Sequence, residues 1–286
     1  MSRFALIGTG SVGRVYRPGF SCTNQKEIAP GYISKVMSRT HADEELAIYR
    51  HLRLDEVPDA HKYAIFDPID CPGVKAGKGI LNYRDGGETL SVILSGIPSP
   101  AELRRLLSSF KTIIAGLTEL NWLNRFHMDV KPDNITVDCH GTMRLIDFGW
   151  SRYFPNGVAA DYTPCGFYNE DYLFWPPEIH LLELNPRVTP YEIYEDYGLP
   201  IAPPHSAPST PSTPSTPSAS HETVFKNVDL WALGVTLFYF YRKMATADAG
   251  KQALFNLLQR ILTYNYTERL SLTELNTVYA DFLASL

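Results

Sequence analysis

His127-Met128-Asp129-Val130-Lys131-Pro132-Asp133-Asn134, followed by Asp147-Phe148-Gly149, is the stretch on which the reading of this chain turns. Transfer of a phosphoryl group from ATP needs a carboxylate to take or orient the proton of the attacking hydroxyl. It needs oxygen ligands for Mg²⁺ and a cation beside the moving group. Asp129, Lys131 two residues on and Asn134 five residues on supply base, cation and metal ligand from one loop. The alternation across residues 135–146, around Cys139-His140-Gly141, predicts a hairpin that returns the chain to a second metal-binding carboxylate, Asp147. The competing reading is a polar loop followed by a chance Asp-Phe-Gly turn, and the joint spacing disfavours it.

With H-x-D-x-K-P-x-N and D-F-G in this order, the chain resembles the eukaryotic-type protein kinase family over almost its whole length. The resemblance implies an α+β, bilobal protein-kinase-like fold, with a small β-rich N-lobe (1–85) and a mainly helical C-lobe (86–286) around an ATP cleft. By it, Asp129 is the base, Lys131 stabilises the transferring group, and Asn134 and Asp147 bind Mg²⁺. Lys35, in Tyr32-Ile33-Ser34-Lys35-Val36, looks like the third-strand lysine that reaches the phosphates. Its helical partner is Glu45 rather than Glu44, because Glu45 shares a face with Ile48, Tyr49 and Leu52. Ile80 to Gly87 is similar to the family's hinge, with Leu81 as gatekeeper and Asn82, Tyr83 and Arg84 as the adenine-contact strand. Glu178 of Pro176-Pro177-Glu178 is matched with Arg269 as an ion pair. Asp229 is matched with the acid that binds catalytic-loop backbone. ATP and Mg²⁺ as cofactors, a protein substrate, and serine/threonine rather than tyrosine specificity (from Lys131) follow from the same resemblance.

Upstream, Ile7-Gly8-Thr9-Gly10-Ser11-Val12-Gly13 leads from a strand into G-x-G-x-x-G, and Val15 follows. A dinucleotide fold would need a helix after the third glycine. Pro18-Gly19 would break one within two turns. Two strands joined by a flap over phosphates fit better; a dinucleotide site and a plain glycine turn remain open on this segment alone. A long helix is predicted from Ser99 as N-cap, Pro100 as first helical residue and Glu102 as return partner. Behind it Leu103, Leu106, Leu107, Phe110, Ile113, Ile114, Leu117 and Leu120 keep a 3.6-residue period. A shorter helix is predicted to open near Thr40, capped with Asp43.

Composition sets outer bounds. The 286 residues carry 26 Lys and Arg against 31 Asp and Glu, a formal charge of −5. That argues against a general binder of nucleic acid or anionic membrane, which needs clustered positive charge. Cys22, Cys71, Cys139 and Cys165 contain no C-x-x-C pair, which argues against a zinc ribbon or disulfide scaffold and leaves a reducing, cytoplasmic setting as the default. The opening residues are too short an apolar run for a signal sequence. The longest uncharged apolar run, Leu230 to Tyr241, suits a buried core helix rather than a membrane span, which needs about 20 residues. A soluble protein is expected.

Three features depart from the family pattern. Position 128 is Met where many members carry an Arg that receives an activation-segment phosphate. Activity is therefore expected not to depend on phosphorylation between Gly149 and Pro176, although Tyr162, Thr163 and Tyr168 lie there. The stretch Gly166 to Trp175 does not match the usual approach to the Pro-Glu, which leaves substrate preference open. Between Gly198 and Ser220 there are seven of the 21 prolines and no Asp, Glu, Lys or Arg. Residues 198–222 are expected to be a disordered Ser/Thr/Pro-rich insertion. Its Thr210, Thr213 and Thr216 each precede proline, either as targets of a proline-directed kinase or in an inert tether. The alternatives to a protein kinase are a pseudokinase scaffold and a small-molecule kinase on the same fold. The presence of Lys35, Glu45, Asp129, Lys131, Asn134 and Asp147 together disfavours the first; Lys131, Pro177-Glu178 and Arg269 disfavour the second.

Overall fold

A hydroxyl and a proline start the long helix that the sequence predicts. In a computed structural model of the chain, Ser99 accepts a hydrogen bond from the Glu102 backbone N–H, and the helix runs Pro100–Trp122. The eight apolar positions read from its period are all buried. The described residues are 4–10, 12–22, 27–71, 77–161, 172–179, 194, 197–201, 220–246 and 249–286. Ser11, Tyr162, Thr163, Tyr168 and the proline-spaced threonines 210, 213 and 216 lie outside them.

The N-terminal part is a five-stranded antiparallel sheet. Its strands are β1 (Ala5–Thr9), β2 (Gly13–Arg17), β5 (Tyr32–Ser38), β6 (Ile69–Asp70) and β7 (Lys78–Arg84), in the order β1-β2-β5-β7-β6. A short pair, β3 (Gly19–Phe20) and β4 (Ile28–Ala29), lies between β2 and β5 in the chain. Glycine is needed where β2 begins. A Cβ on Gly13 would stand 2.9 Å from the Val36 carbonyl oxygen, inside contact distance. Helix α1 (Arg39–Leu52) follows β5 directly. Its cap is Ser38, whose hydroxyl accepts from the His41 N–H at 3.1 Å, and not the expected Thr40–Asp43 pair. The strand runs to Ser38, so that residue is the first hydroxyl in position, and the Asp43 carboxylate instead takes the Arg39 side chain one turn back. Cys22 and Cys71 are joined by a disulfide, with Cα atoms 4.7 Å apart, although 49 residues separate them. Their spacing along the chain hid a proximity that the sheet creates; Cys139 is free and exposed.

β7 ends at Arg84, and Asp85-Gly86-Gly87 carries the chain to β8 (Glu88–Thr89). This connector lies flat on the C-terminal part. A Cβ on Gly86 would fall 2.3 Å from Thr136 Oγ1. One on Gly87, whose φ is +91°, would fall 2.1 Å from the Val137 carbonyl oxygen. Arg17, at the end of β2, donates to Asp85, Glu88 and the Gly87 carbonyl, which fastens the N-terminal sheet to the connector. Beyond α2 (Leu90–Ser95) and α3 (Pro100–Trp122) comes β9 (Arg125–Phe126), then the predicted hairpin β10 (Ile135–Val137) and β11 (Met143–Leu145). β12 (Arg152–Tyr153) pairs with β9, and α4 (Val158–Asp161) follows. The described chain closes with α5 (His221–Lys243), α6 (Ala249–Ile261) and α7 (Leu272–Ala284).

Helix α5 begins nine residues before the apolar run Leu230 to Tyr241 and is buried nearly all round its middle, as an apolar run inside a core must be. No described helix is long and apolar enough to cross a membrane. One apolar core continues from the N-terminal sheet through α3, α5 and α7. A second cluster, Phe126, Met128, Phe154, Trp175, Val224, Phe225 and Val228 among others, sits under the loop that carries Asp129. The result is the bilobal α+β architecture the sequence implied.

Candidate active site

Lys35 lies mid-strand in β5, directly opposite Val15 on β2 and Leu81 on β7, so these three share one face of the sheet. Helix α1 packs beneath that face and brings Glu45 to it, while Glu44 is exposed. The Lys35 ammonium donates to both Glu45 oxygens, at 3.0 and 2.8 Å, and stands 3.5 Å from Asp147 Oδ1. Burial pulls the lysine pKa down, but Asp147 and Glu45 outweigh that and hold it above its ordinary value. The ammonium is therefore charged at neutral pH. Behind it, the Tyr83 hydroxyl donates to Glu45 Oε1.

The loop between β9 and β10 is held by Asp229, which α5 places fully buried beneath it. One carboxylate oxygen accepts from the His127 N–H at 2.8 Å and the other from the Met128 N–H at 2.9 Å. Burial raises the Asp229 pKa to about 6, the two N–H donors working against that shift and Asp129 adding to it. Burial also pulls the His127 imidazole below its ordinary pKa. Its neutral form fits both contacts. Nε2–H donates to the Ile146 carbonyl at 3.1 Å, and Nδ1 accepts from the Asp129 N–H at 3.3 Å. Met128 sits at φ +68°, a strained value for a residue with a Cβ, and the Trp175 indole donates to its carbonyl at 2.9 Å.

On this loop Asp129 is surrounded by donors. Lys131 Nζ reaches both of its oxygens, at 2.8 and 2.9 Å. Asn134 Nδ2 donates to Oδ2 at 2.6 Å and to the Asp129 carbonyl at 2.9 Å. The Tyr172 hydroxyl donates to Oδ1. After the hairpin, Asp147 adopts φ +59°, and Phe148 is buried between the His127 ring, 4.6 Å away, and the Tyr49 ring of α1, 6.0 Å away. That packing ties the helix carrying Glu45 to the loop carrying Asp129.

The donor set suits a Mg²⁺ ion delivered on phosphates. Asp147 keeps 43% of its side chain exposed. Asn134 spends its amide nitrogen on Asp129, which leaves its amide oxygen for another partner. No group of three or more His, Cys, Asp or Glu among the described residues could hold a metal ion unaided. One carboxylate and one amide oxygen match a Mg²⁺ ion that takes its remaining ligands from water and phosphate.

Lys35, Glu45, Asp129, Lys131, Asn134 and Asp147 thus converge. The glycine strands lie on the same sheet: Gly8 pairs with Val15 across a bulge after Leu6, and the Gly10 N–H donates to the Gly13 carbonyl at 2.9 Å, with Ile7 partly exposed beside them. No helix follows Gly13, because β2 does. The expected adenine-contact strand closes β7. Asn82, Tyr83 and Arg84 remain inside β7, paired with Ser34, Ile33 and Tyr32. The Asn82 side chain is spent on Ser34 and the Phe20 carbonyl, and Tyr83 points to Glu45. Leu81 is fully buried, as a gatekeeper would be; β5 pairs along one edge of β7, β6 covers the other only at Leu81 and Asn82, and Asp85-Gly86-Gly87 follows as the connector. Farther off, Arg269 donates to both Glu178 oxygens.

Tyr172 was missed as a site residue, and Tyr83 was read only as part of the adenine-contact strand, not as a side-chain donor to Glu45. Tyr172 does lie in the stretch Gly166 to Trp175 that departs from the family pattern, which was the available signal. Tyr83 gave none, because its role depends on strand register.

The architecture and these side chains define a protein kinase domain, whose family model matches residues 1–180. The chain belongs to that family. It is 26% identical over 247 residues to an Aurora kinase of Yarrowia lipolytica, covering 82% of this chain and 50% of the relative. It is 28% identical over 168 residues to CBL-interacting serine/threonine-protein kinase 16 of Arabidopsis thaliana, covering 54% and 32%. With cyclin-dependent kinase 7 of Dictyostelium discoideum it shares 28% identity over 184 residues, covering 57% and 46%. The chain spans half or less of the length of these relatives.

Proposed function

We propose that this chain transfers the γ-phosphoryl group of ATP to serine or threonine hydroxyls of protein substrates, assisted by Mg²⁺. The observation that carries the reading is the 3.5 Å approach of Lys35 Nζ to Asp147 Oδ1, which joins the N-terminal lysine to the C-terminal acid with Glu45 already engaged. Gly8, Gly10 and Gly13 would cover the phosphates, while Lys35, held by Glu45, would fix them. Asn134 and Asp147 would hold Mg²⁺, which when bound neutralises charge on the phosphate oxygens. Asp129 takes the proton of the acceptor hydroxyl, and Lys131 stabilises the charge that develops on the moving group. Lys131 also supports serine/threonine specificity, as do relatives whose names carry it.

Incubation with γ-labelled ATP, Mg²⁺ and a generic basic protein tests this reading alongside Asp129→Asn. The variant should lose about 10²–10⁴-fold in turnover while keeping ATP affinity. Near-normal turnover would remove Asp129 from its role. ATP binding by the wild type without any transfer would favour the scaffold reading.

A further inference from the structure

Asp129 has no room for a substrate. A carboxylate offers about four lone-pair sites. Here one oxygen accepts from Lys131 and Asn134, and the other from Lys131 and Tyr172. A hydroxyl that is to give its proton to Asp129 must therefore displace one of these donors. Asn134 is buried and doubly held through Asp129 Oδ2 and the Asp129 carbonyl, and Lys131 bridges both oxygens with a full charge. Tyr172 is the weakest tenant: a neutral phenol on a single oxygen, with Lys131 Nζ 3.5 Å from its hydroxyl. Its ring is shelved against Trp150, Phe174 and Trp175, with centroids 5.2, 5.7 and 5.1 Å away. Its backbone carbonyl accepts from the Trp175 N–H at 3.1 Å, so the ring can swing about its own side-chain bonds without loosening that turn.

We infer that the Tyr172 hydroxyl is an internal occupant of the acceptor's place on Asp129, and that a substrate hydroxyl binds there only by displacing it. This rests on the phosphoryl-transfer reading above. Tyr172 then acts against acceptor binding and leaves the nucleotide alone, since Lys35, Glu45 and Asp147 make no hydrogen bond to it in the structure. A hydrogen bond to an ionised acceptor is among the stronger ones, so removing it should be felt as about a tenfold change in apparent acceptor affinity.

The test is Tyr172→Phe, which keeps the ring and its aromatic shelf, with Tyr172→Met as a second variant, each checked for an unchanged melting temperature. Initial rates are measured against a generic basic protein and, separately, against ATP. The expected result is a KM for the protein acceptor about tenfold lower in both variants, with the KM for ATP unchanged. An acceptor KM that stays level or rises while the wild type transfers phosphate overturns the inference and leaves the kinase reading standing; the phenol would then be a positioning group for Asp129. If neither the wild type nor the variants transfer phosphate although all bind ATP, the functional reading falls and this inference with it.

Discussion

Removing Glu178 should unfold the chain far more readily than removing a surface charge. Its partner Arg269 has a side chain with 0% exposure and Glu178 itself has 3%, so neither can turn to water if the other is lost. Arg269 keeps two bonds to the Thr263 carbonyl and lies over the Trp231 ring at 5.0 Å, but neither neutralises its charge. Breaking a buried ion pair from one side costs about 3–5 kcal/mol. For a chain of this size about 2 °C of melting temperature corresponds to each kcal/mol, so Glu178→Ala should melt about 6–10 °C lower. Arg269→Met should be similarly damaging, because it leaves a buried carboxylate. The double variant leaves no charge stranded, and should recover about 2 kcal/mol or more relative to the sum of the singles. Calorimetry or a circular-dichroism melt on the four proteins gives the coupling directly. Additive single effects, or a Glu178→Ala loss under about 1 kcal/mol, would refute the view that this pair closes the end of the segment by burying opposite charges.

Asp229 sets a pH dependence with a definite sign. Burial raises its pKa to about 6 from the ordinary 3.8, so between those values the folded chain holds a proton that the unfolded chain has released. Its contribution to stability therefore falls as pH rises through that window, by up to about 1.4 kcal/mol per pH unit, and is least favourable above about 6. Urea unfolding between pH 4 and 7 should show this slope removed in Asp229→Asn, and an unaltered slope would sink the assignment. Position 128 gives a second expectation. Met128 is buried among apolar side chains and cannot bind phosphate, so exhaustive phosphatase treatment should leave the transfer rate unchanged within about twofold; abolished activity would show that another group receives a phosphate.

What was legible in the sequence was what short-range periodicity and fixed spacing encode. The α3 period buried every apolar position it named, and the i+3, i+4, i+7 neighbours separated Glu45 from Glu44. The cluster from Asp129 to Asn134 folds onto itself within six residues, so its geometry is local. What was illegible depends on how distant strands register. The disulfide of Cys22 and Cys71 requires β7 to carry Asn82 to the Phe20 carbonyl and Cys22 sulfur while the Ile80 carbonyl accepts from the Cys71 N–H. The cap at Ser38 was missed because two hydroxyl residues compete within three positions, and the end of the preceding strand decides between them.

The departure at position 128 has a structural counterpart. Where an arginine and a phosphate would join the catalytic loop to the segment before Glu178, this chain uses a hydrophobic seam. Met128 is 2% exposed and Trp175 is 1% exposed, packed with Phe126, Phe154 and Phe225 in one cluster. Full burial of side chains of this size contributes about 1.5–3 kcal/mol each. The seam is also directional: the Trp175 indole donates to the Met128 carbonyl, and the Ser151 hydroxyl donates to the His127 carbonyl at 3.1 Å, so loop and segment are fixed to each other at the backbone. Apolar burial needs no modifying enzyme and is not reversed by a phosphatase. A loop held this way is in place whenever the chain is folded, so on the proposed reading control over the acceptor would fall to whatever sits on Asp129 rather than to the state of the segment as a whole. Among the described residues of that same segment, the group on Asp129 is Tyr172, three residues before Trp175.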